Sequence, residues 1–262
     1  MEFAFVGTHT ADAWAKWQGT NYAIEGDDLV IERDPLSAYV SPEQVMTDAP
    51  ADFEVVDLDA DGCGDLYVLA DLRATRALYR YDVRAGRLDE SPCLAPDDDR
   101  FADAAGVCVT ADSLYIIDQT TGRLHAFSRH LLQTRWIKGG FDRPIAIAGH
   151  GERVYLLEAG PTSGSEDAAL WQVHDDGRRE RVEASVEAPL DVTVDDAGIV
   201  YVLDDRASGA VIVSVNDTET AEYAVPEGVR PVCLEATDES ELLVGIGAAP
   251  SGGGTLFRYR FE

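Results

Sequence analysis

PLDVTVDDAGIVYVLDD, residues 189–205, alternates apolar and polar side chains, turns on Asp-Asp-Ala-Gly, and resumes as an apolar run that ends in acid. In its first half, Val192 and Val194 alternate with Asp191 and Thr193, the period-two pattern that puts the valines on one face of a pleated strand. Asp195, Asp196 and Gly198 are turn formers. The second half, rich in β-branched and aromatic residues, reads as a second strand. Together they make a hairpin.

The hairpin recurs. Residues 53–71 read FEVVDLDADGCGDLYVLAD and 105–118 read AGVCVTADSLYIID. Residues 143–158 read RPIAIAGHGERVYLLE and 230–247 read RPVCLEATDESELLVGIG. The position of Tyr67 returns as Tyr115, Tyr155, Tyr201 and Leu243, at intervals of 48, 40, 46 and 42 residues. After each hairpin comes a looser connection and a third strand of aromatic or apolar alternation, such as ALYRY at 77–81 or RLHAF at 123–127. Long helical periodicity is absent; only TADAWAKWQ (10–18) and SPEQVMTDA (41–49) have the composition of short helices.

A period in the forties with three or four short strands per unit predicts an all-β fold, the β-propeller. One small antiparallel sheet cannot bury both of its faces alone, whereas sheets stacked radially cover one another. A chain of 262 residues at a mean spacing of about 44 gives six blades, with five as the alternative. The whole of 1–262 reads as one domain, with 51–262 holding five recognisable repeats and 1–50 a degenerate first blade with two clear strands in 21–40. MEFAFVG at the N-terminus is expected to close the last blade beside TLFRYRF (255–261), protecting both edges.

The repeats, residues 189–205 most clearly, resemble NHL and SMP-30-type propeller repeats. The SMP-30 and gluconolactonase resemblance implies a calcium-assisted lactonase or esterase, with a glutamate, asparagines and an aspartate around a central metal. This chain has only two asparagines, Asn21 and Asn216, and neither starts an inner strand. The opening segment WQGTNYAIEGDDLVIERDPLSAYVSP (17–42) looks like propeller regions of phage-tail-like contractile injection systems, which implies a baseplate or fibre component.

Charge sets the surroundings. Asp and Glu number 49 against 21 Lys and Arg, a formal net charge of −28, yet 45% of the residues are hydrophobic. Only Lys16 and Lys138 are lysines. The acid is spread along the whole chain, so this is a folded protein with an acidic surface rather than a disordered acidic tail. The composition resembles proteins of salt-in halophiles, haloarchaea above all, where molar salt screens self-repulsion. No basic patch exists to bind nucleic acid or an anionic membrane. No basic n-region with an apolar h-region opens the sequence, and no run of 18 apolar residues suits membrane insertion, so a cytoplasmic protein is expected, with release in a larger particle as an extension. Cys63, Cys93, Cys108 and Cys233 are scattered without a CxxC pair and read as buried thiols, with a disulfide such as Cys93–Cys108 as the alternative.

Catalytic templates are missing. Five histidines (His9, His125, His130, His150, His174) occur singly, with no HExxH or HxH pair, and they read as surface or packing residues. No GxSxG elbow or phosphate-binding loop is present. One constellation looks like a ligand set. Asp57, Asp59, Asp61 and Asp65 stand at positions 1, 3, 5 and 9 of a loop with Gly62 at 6, similar to the calcium loops of FG-GAP propeller repeats, with the Cys63 carbonyl as a further ligand. The expectation is one structural calcium ion pinning a hairpin. Trp14 and Trp17 flank Lys16 ahead of the repeats and are candidates for partner binding. The resulting expectation is a non-enzymatic structural or protein-interaction subunit of a larger assembly. The alternatives are a calcium-dependent SMP-30-like hydrolase and a propeller that binds a sugar or other small ligand.

Overall fold

The computed structural model describes residues 2–7, 13–17, 20–25, 28–33, 36–40, 53–61, 65–72, 75–82, 87–88, 93–94, 103–130, 132–160, 168–216, 219–226, 231–237, 241–246 and 255–260. Every regular element among them is a β-strand. The chain divides into two compact units, one of residues 12–139 and one of residues 140–262 joined by residues 1–11.

The 12–139 unit holds three four-stranded antiparallel sheets, taken in chain order. The first is β2 (Ala13–Trp17), β3 (Thr20–Glu25), β4 (Asp28–Arg33) and β5 (Leu36–Val40). The second is β6 (Phe53–Ala60), β7 (Asp65–Leu72), β8 (Thr75–Asp82) and β9 (Arg87–Leu88). The third is β10 (Ala104–Val109), β11 (Ser113–Asp118), β12 (Arg123–Ser128) and β13 (Thr134–Gly139). In the 140–262 unit, β14 (Pro144–His150), β15 (Arg153–Glu158), β16 (Ala169–Val173) and β17 (Arg179–Val182) form one sheet. The next is β18 (Pro189–Val194), β19 (Val200–Arg206), β20 (Gly209–Val215) and β21 (Thr220–Ala224). In the last, β22 (Pro231–Thr237), β23 (Glu241–Ile246) and β24 (Thr255–Arg260) are completed by β1 (Glu2–Gly7), which pairs antiparallel with β24. These sheets are the blades of a β-propeller, and the N-terminal strand closes the last of them.

Alternation on the second strand of each sheet builds the core. Val200 and Val202 pack back onto Leu157, Leu170 and the rest of the preceding sheet. Tyr201 and Leu203, one step out of phase, pack forward onto Leu234, Leu242 and Val244 of the following sheet. A strand covered on both faces has no solvent-facing position, and all six residues of β11 are buried. The recurring tyrosine belongs to the forward face: Tyr67 packs against Val107, Leu114 and Phe127, and Tyr155 against Val192 and Val202.

Two expectations change. The segment around Trp14 was expected as a short helix, but it is strand β2, paired with β3 from Ala13↔Ile24 to Trp17↔Thr20. The degenerate first blade has four strands rather than two. In both places pairing with a neighbouring strand overrides weak local preference. SPEQVMTDA lies outside the described residues. No disulfide joins Cys93 and Cys108.

Leu203 is fully buried, whereas Ile137 on the outer strand β13 is 43% exposed. Leu203→Ala is expected to cost about 2–5 kcal/mol in urea unfolding, and Ile137→Ser less than about 0.5 kcal/mol.

Candidate functional site

The first strand of each sheet presents an edge whose outward N–H groups need acceptors. Acidic side chains on one such strand supply them to the next. Val107 N donates to Asp57 Oδ2 at 2.8 Å, and Val109 N to Asp59 Oδ2 at 2.7 Å. The 140–262 unit repeats the device at equivalent positions. Leu234 N donates to Asp191 Oδ2 at 2.7 Å, and Ala236 N to Thr193 Oγ1 at 3.1 Å. A second oxygen is used locally: Ala60 N donates to Asp59 Oδ1 at 2.7 Å and Val192 N to Asp191 Oδ1 at 2.8 Å. Burial pushes the carboxyls of Asp59 and Asp191 up to about 7, against the opposing pull of their backbone donors.

The four aspartates read as a calcium set therefore have other partners. Asp57 and Asp59 reach across to β10. Asp61 Oδ1 accepts the Asp65 amide at 2.9 Å, and its Oδ2 lies 3.2 Å from the Arg129 guanidinium. Asp65 lies 3.8 Å from Arg80. Cys63 is outside the described residues. Among the described residues no group of three or more His, Cys, Asp or Glu side chains is arranged to hold a metal ion. The side chains of Trp14 and Trp17 are likewise outside the described residues, although both lie on β2.

A second recurrent acid went unassigned in the sequence, at the end of the second strand: Asp118, Glu158 and Asp204. All three are buried. Asp204 Oδ1 accepts the Ala188 amide at 2.7 Å and Oδ2 the Arg206 Nε at 2.7 Å. Glu158 accepts the Asp142 amide at 2.9 Å and the Trp171 indole N–H at 2.6 Å. Glu158 and Asp204 thus hold the residues that lead into β14 and β18, the first strands of their own sheets, whereas Asp118 accepts the Thr121 amide of the following turn. The sequence signal was there: an acid ends a wholly apolar strand, opposite a proline (Pro144↔Glu158, Pro189↔Asp204).

At the other end of the same strands lies a cavity of about 630 Å³, wholly within the 140–262 unit. Three hairpin turns surround it. His150, Glu152 and Arg153 come from the β14–β15 turn, His174 and Asp175 from the β16–β17 turn, and Ala197 and Gly198 from the β18–β19 turn. Tyr155 and Gln172, cross-strand partners on β15 and β16, line its wall. Gly198 closes its turn at φ +79°, a left-handed conformation that favours glycine, and a Cβ there would sit 3.8 Å from the His150 ring. The Nε2 of His174 is buried without a hydrogen-bond partner among the described residues. It lies 3.5 Å from the Glu180 carboxylate. Read singly, His150 and His174 were surface or packing residues; 24 positions apart, they meet because adjacent hairpins of one sheet end on the same edge.

No protein-family model matches the chain, and no curated protein matches it in sequence. Solved structures do match in fold. A Xanthomonas campestris gluconolactonase aligns at TM-score 0.66 and 13% identity, over 97% of this chain and 86% of that one. Virginiamycin B lyase from Staphylococcus aureus aligns at 0.63 and 12% identity, over 100% and 89%. The PQQ-bound aldose sugar dehydrogenase of Streptomyces coelicolor aligns at 0.64 and 11% identity, over 98% and 97%. The propeller expected from the NHL and SMP-30-like repeats is thus the architecture of these proteins. The expectation of a non-enzymatic structural subunit is corrected, because propellers that share this fold over nearly the whole chain include enzymes of small-molecule chemistry. Among the described residues no helix is long and apolar enough to cross a membrane.

Two outcomes test the acids. Asp59 and Asp191 bind a proton more readily folded than unfolded, where the ordinary value is 3.8. The stability they contribute is complete below about pH 4 and lost as pH rises through about 7. At fixed molar NaCl, which screens the surface charge, the melting temperature is expected to fall across that window. The slope flattens in the Asp59→Asn, Asp191→Asn double variant; an unchanged slope rejects the assignment. EGTA at constant NaCl is expected to leave melting unchanged, whereas a calcium-reversible drop would return an ion to the 57–65 segment.

Proposed function

We propose that this chain is a propeller enzyme acting on a small polar molecule, with an SMP-30-like hydrolytic activity on a sugar lactone or related ester. The observation that carries this reading is the cavity at the hairpin ends, where two imidazoles, a phenol, an amide, carboxylates and a guanidinium converge. Its volume falls in the range of small-molecule sites, about 300–1,000 Å³. The lining is rich in paired donors and acceptors, which suits a polyhydroxylated ligand. The fold shared with a gluconolactonase and an aldose sugar dehydrogenase supports the same substrate class.

Each residue's role follows from its chemistry. The His174 imidazole lines the cavity and is the group suited to take a proton from water attacking a carbonyl. The Glu180 carboxylate, 3.5 Å from His174 Nε2, stabilises the imidazolium once it forms. Arg153, Gln172 and the Tyr155 hydroxyl supply donors for ring hydroxyls or for the developing oxyanion.

Hydrolysis of glucono-δ-lactone and a panel of aryl esters, followed with a pH indicator, tests the reading. His174→Gln is expected to lower kcat/KM about 10²–10⁴-fold while leaving the fold intact. A wild-type protein without lactone or ester turnover sinks the proposal, as does a fully active His174→Gln variant.

A further inference from the structure

Arg143, immediately before β14, has φ +53°, in the left-handed region that a residue with a Cβ adopts only when its surroundings impose it. Those surroundings are elaborate. Asp142 N is held by Glu158 at 2.9 Å, and the Arg143 carbonyl accepts Ala159 N at 3.2 Å. The Arg179 guanidinium lies 4.7 Å from the centre of the Phe141 ring and 4.6 Å from that of Trp171, and its Nη1 donates to Gly140 O at 2.8 Å. Residues 140–143 are thus clamped by three elements.

The fold does not need an arginine in that conformation. The equivalent residue of the next sheet is Ala188, before Pro189. Its carbonyl makes the same bond, accepting Asp205 N at 3.0 Å, and the amide before it, Glu187 N, donates to Asp204 at 3.1 Å as Asp142 N does to Glu158. Among the described non-glycine residues only Leu132 and Arg143 have positive φ, so the Ala188 turn closes without it. The Arg143 side chain is also anomalous. Its Nε is buried with no hydrogen-bond partner among the described residues, in a chain of net charge −28. By contrast Arg76, Arg129 and Arg206 lie 3.2, 3.2 and 2.7 Å from carboxylates. A buried donor on a cation without a partner is unfavourable unless a ligand completes it.

The adjoining inner strands are apolar at the same level. The register of β14, β18 and β22 slips at their second residues, Ile145, Leu190 and Val232. Leu190 and Val232 are 37% and 42% exposed, unusual for inner-strand residues of this size. We propose that Arg143 anchors a second binding site, at the start of the inner strands of the 140–262 unit, for a small organic carboxylate. The guanidinium takes the carboxylate as a bidentate pair, and Leu190 and Val232 flank the apolar body. This site lies at the opposite end of β14 from the His150 and His174 cavity, and stands whether or not that cavity is catalytic.

Calorimetric titration of the intact chain with sodium benzoate at fixed NaCl tests it, with inorganic phosphate as the competing probe. Benzoate is expected to bind wild type, at least tenfold more weakly to Arg143→Gln and with intermediate affinity to Arg143→Lys. Arg143→Gly, which relieves the left-handed strain, is expected to abolish binding yet melt no lower than wild type without ligand. Equal benzoate affinity in Arg143→Gln, tighter binding of phosphate than of benzoate, or a lower melting temperature for Arg143→Gly would each overturn the proposal. The last outcome would make the arginine a structural residue.

Discussion

A four-stranded sheet with apolar side chains on both faces cannot persist in water by itself, and this constraint organises the rest of the molecule. Period-two alternation sends Val200 and Val202 one way and Tyr201 and Leu203 the other, so the β18–β21 sheet is a core partner for the sheets on both sides of it. At about 25 cal/mol per Å² of apolar area removed from water, that repeated burial is the main favourable term. It also explains why β11 carries no exposed residue.

Stacking leaves a second problem, the unpaired edge of each first strand. Two sheets solve it with polar side chains: Asp57 and Asp59 on β6, Asp191 and Thr193 on β18. Interior acids of this kind differ from the surface acids that give the chain its charge. A surface carboxylate stays hydrated and needs only screening; an inner-strand carboxylate gives up water for backbone N–H donors and titrates near neutrality as a result. Glu158 and Asp204 do comparable work at the other end of the hairpin, where they fix the chain's entry into the first strand of their own sheets.

The fold was legible because it is written in repetition. Tyr67, Tyr115, Tyr155 and Tyr201 mark the same place on successive second strands, and MEFAFVG beside TLFRYRF identified the closing strand. The Trp14 segment was misread since five residues carry too little periodicity to outweigh composition; its strand character comes from pairing with β3. The aspartates at 57–65 were legible as a cluster but not as a function. Position along a chain does not say whether carboxylates turn toward a common centre or toward the amides of a strand 50 residues away.

By itself, the sequence determined the all-β repeat architecture, the apolar second strands, the closing N-terminal strand and the acidic surface, since each depends on local alternation, period or composition. Only the tertiary structure decided which acids bond to which amides, that His150 and His174 share a cavity, and that Arg143 is held in a left-handed turn its counterpart Ala188 avoids. Those properties depend on how neighbouring hairpins meet, and no local pattern in a single chain encodes the distance between side chains that packing brings together.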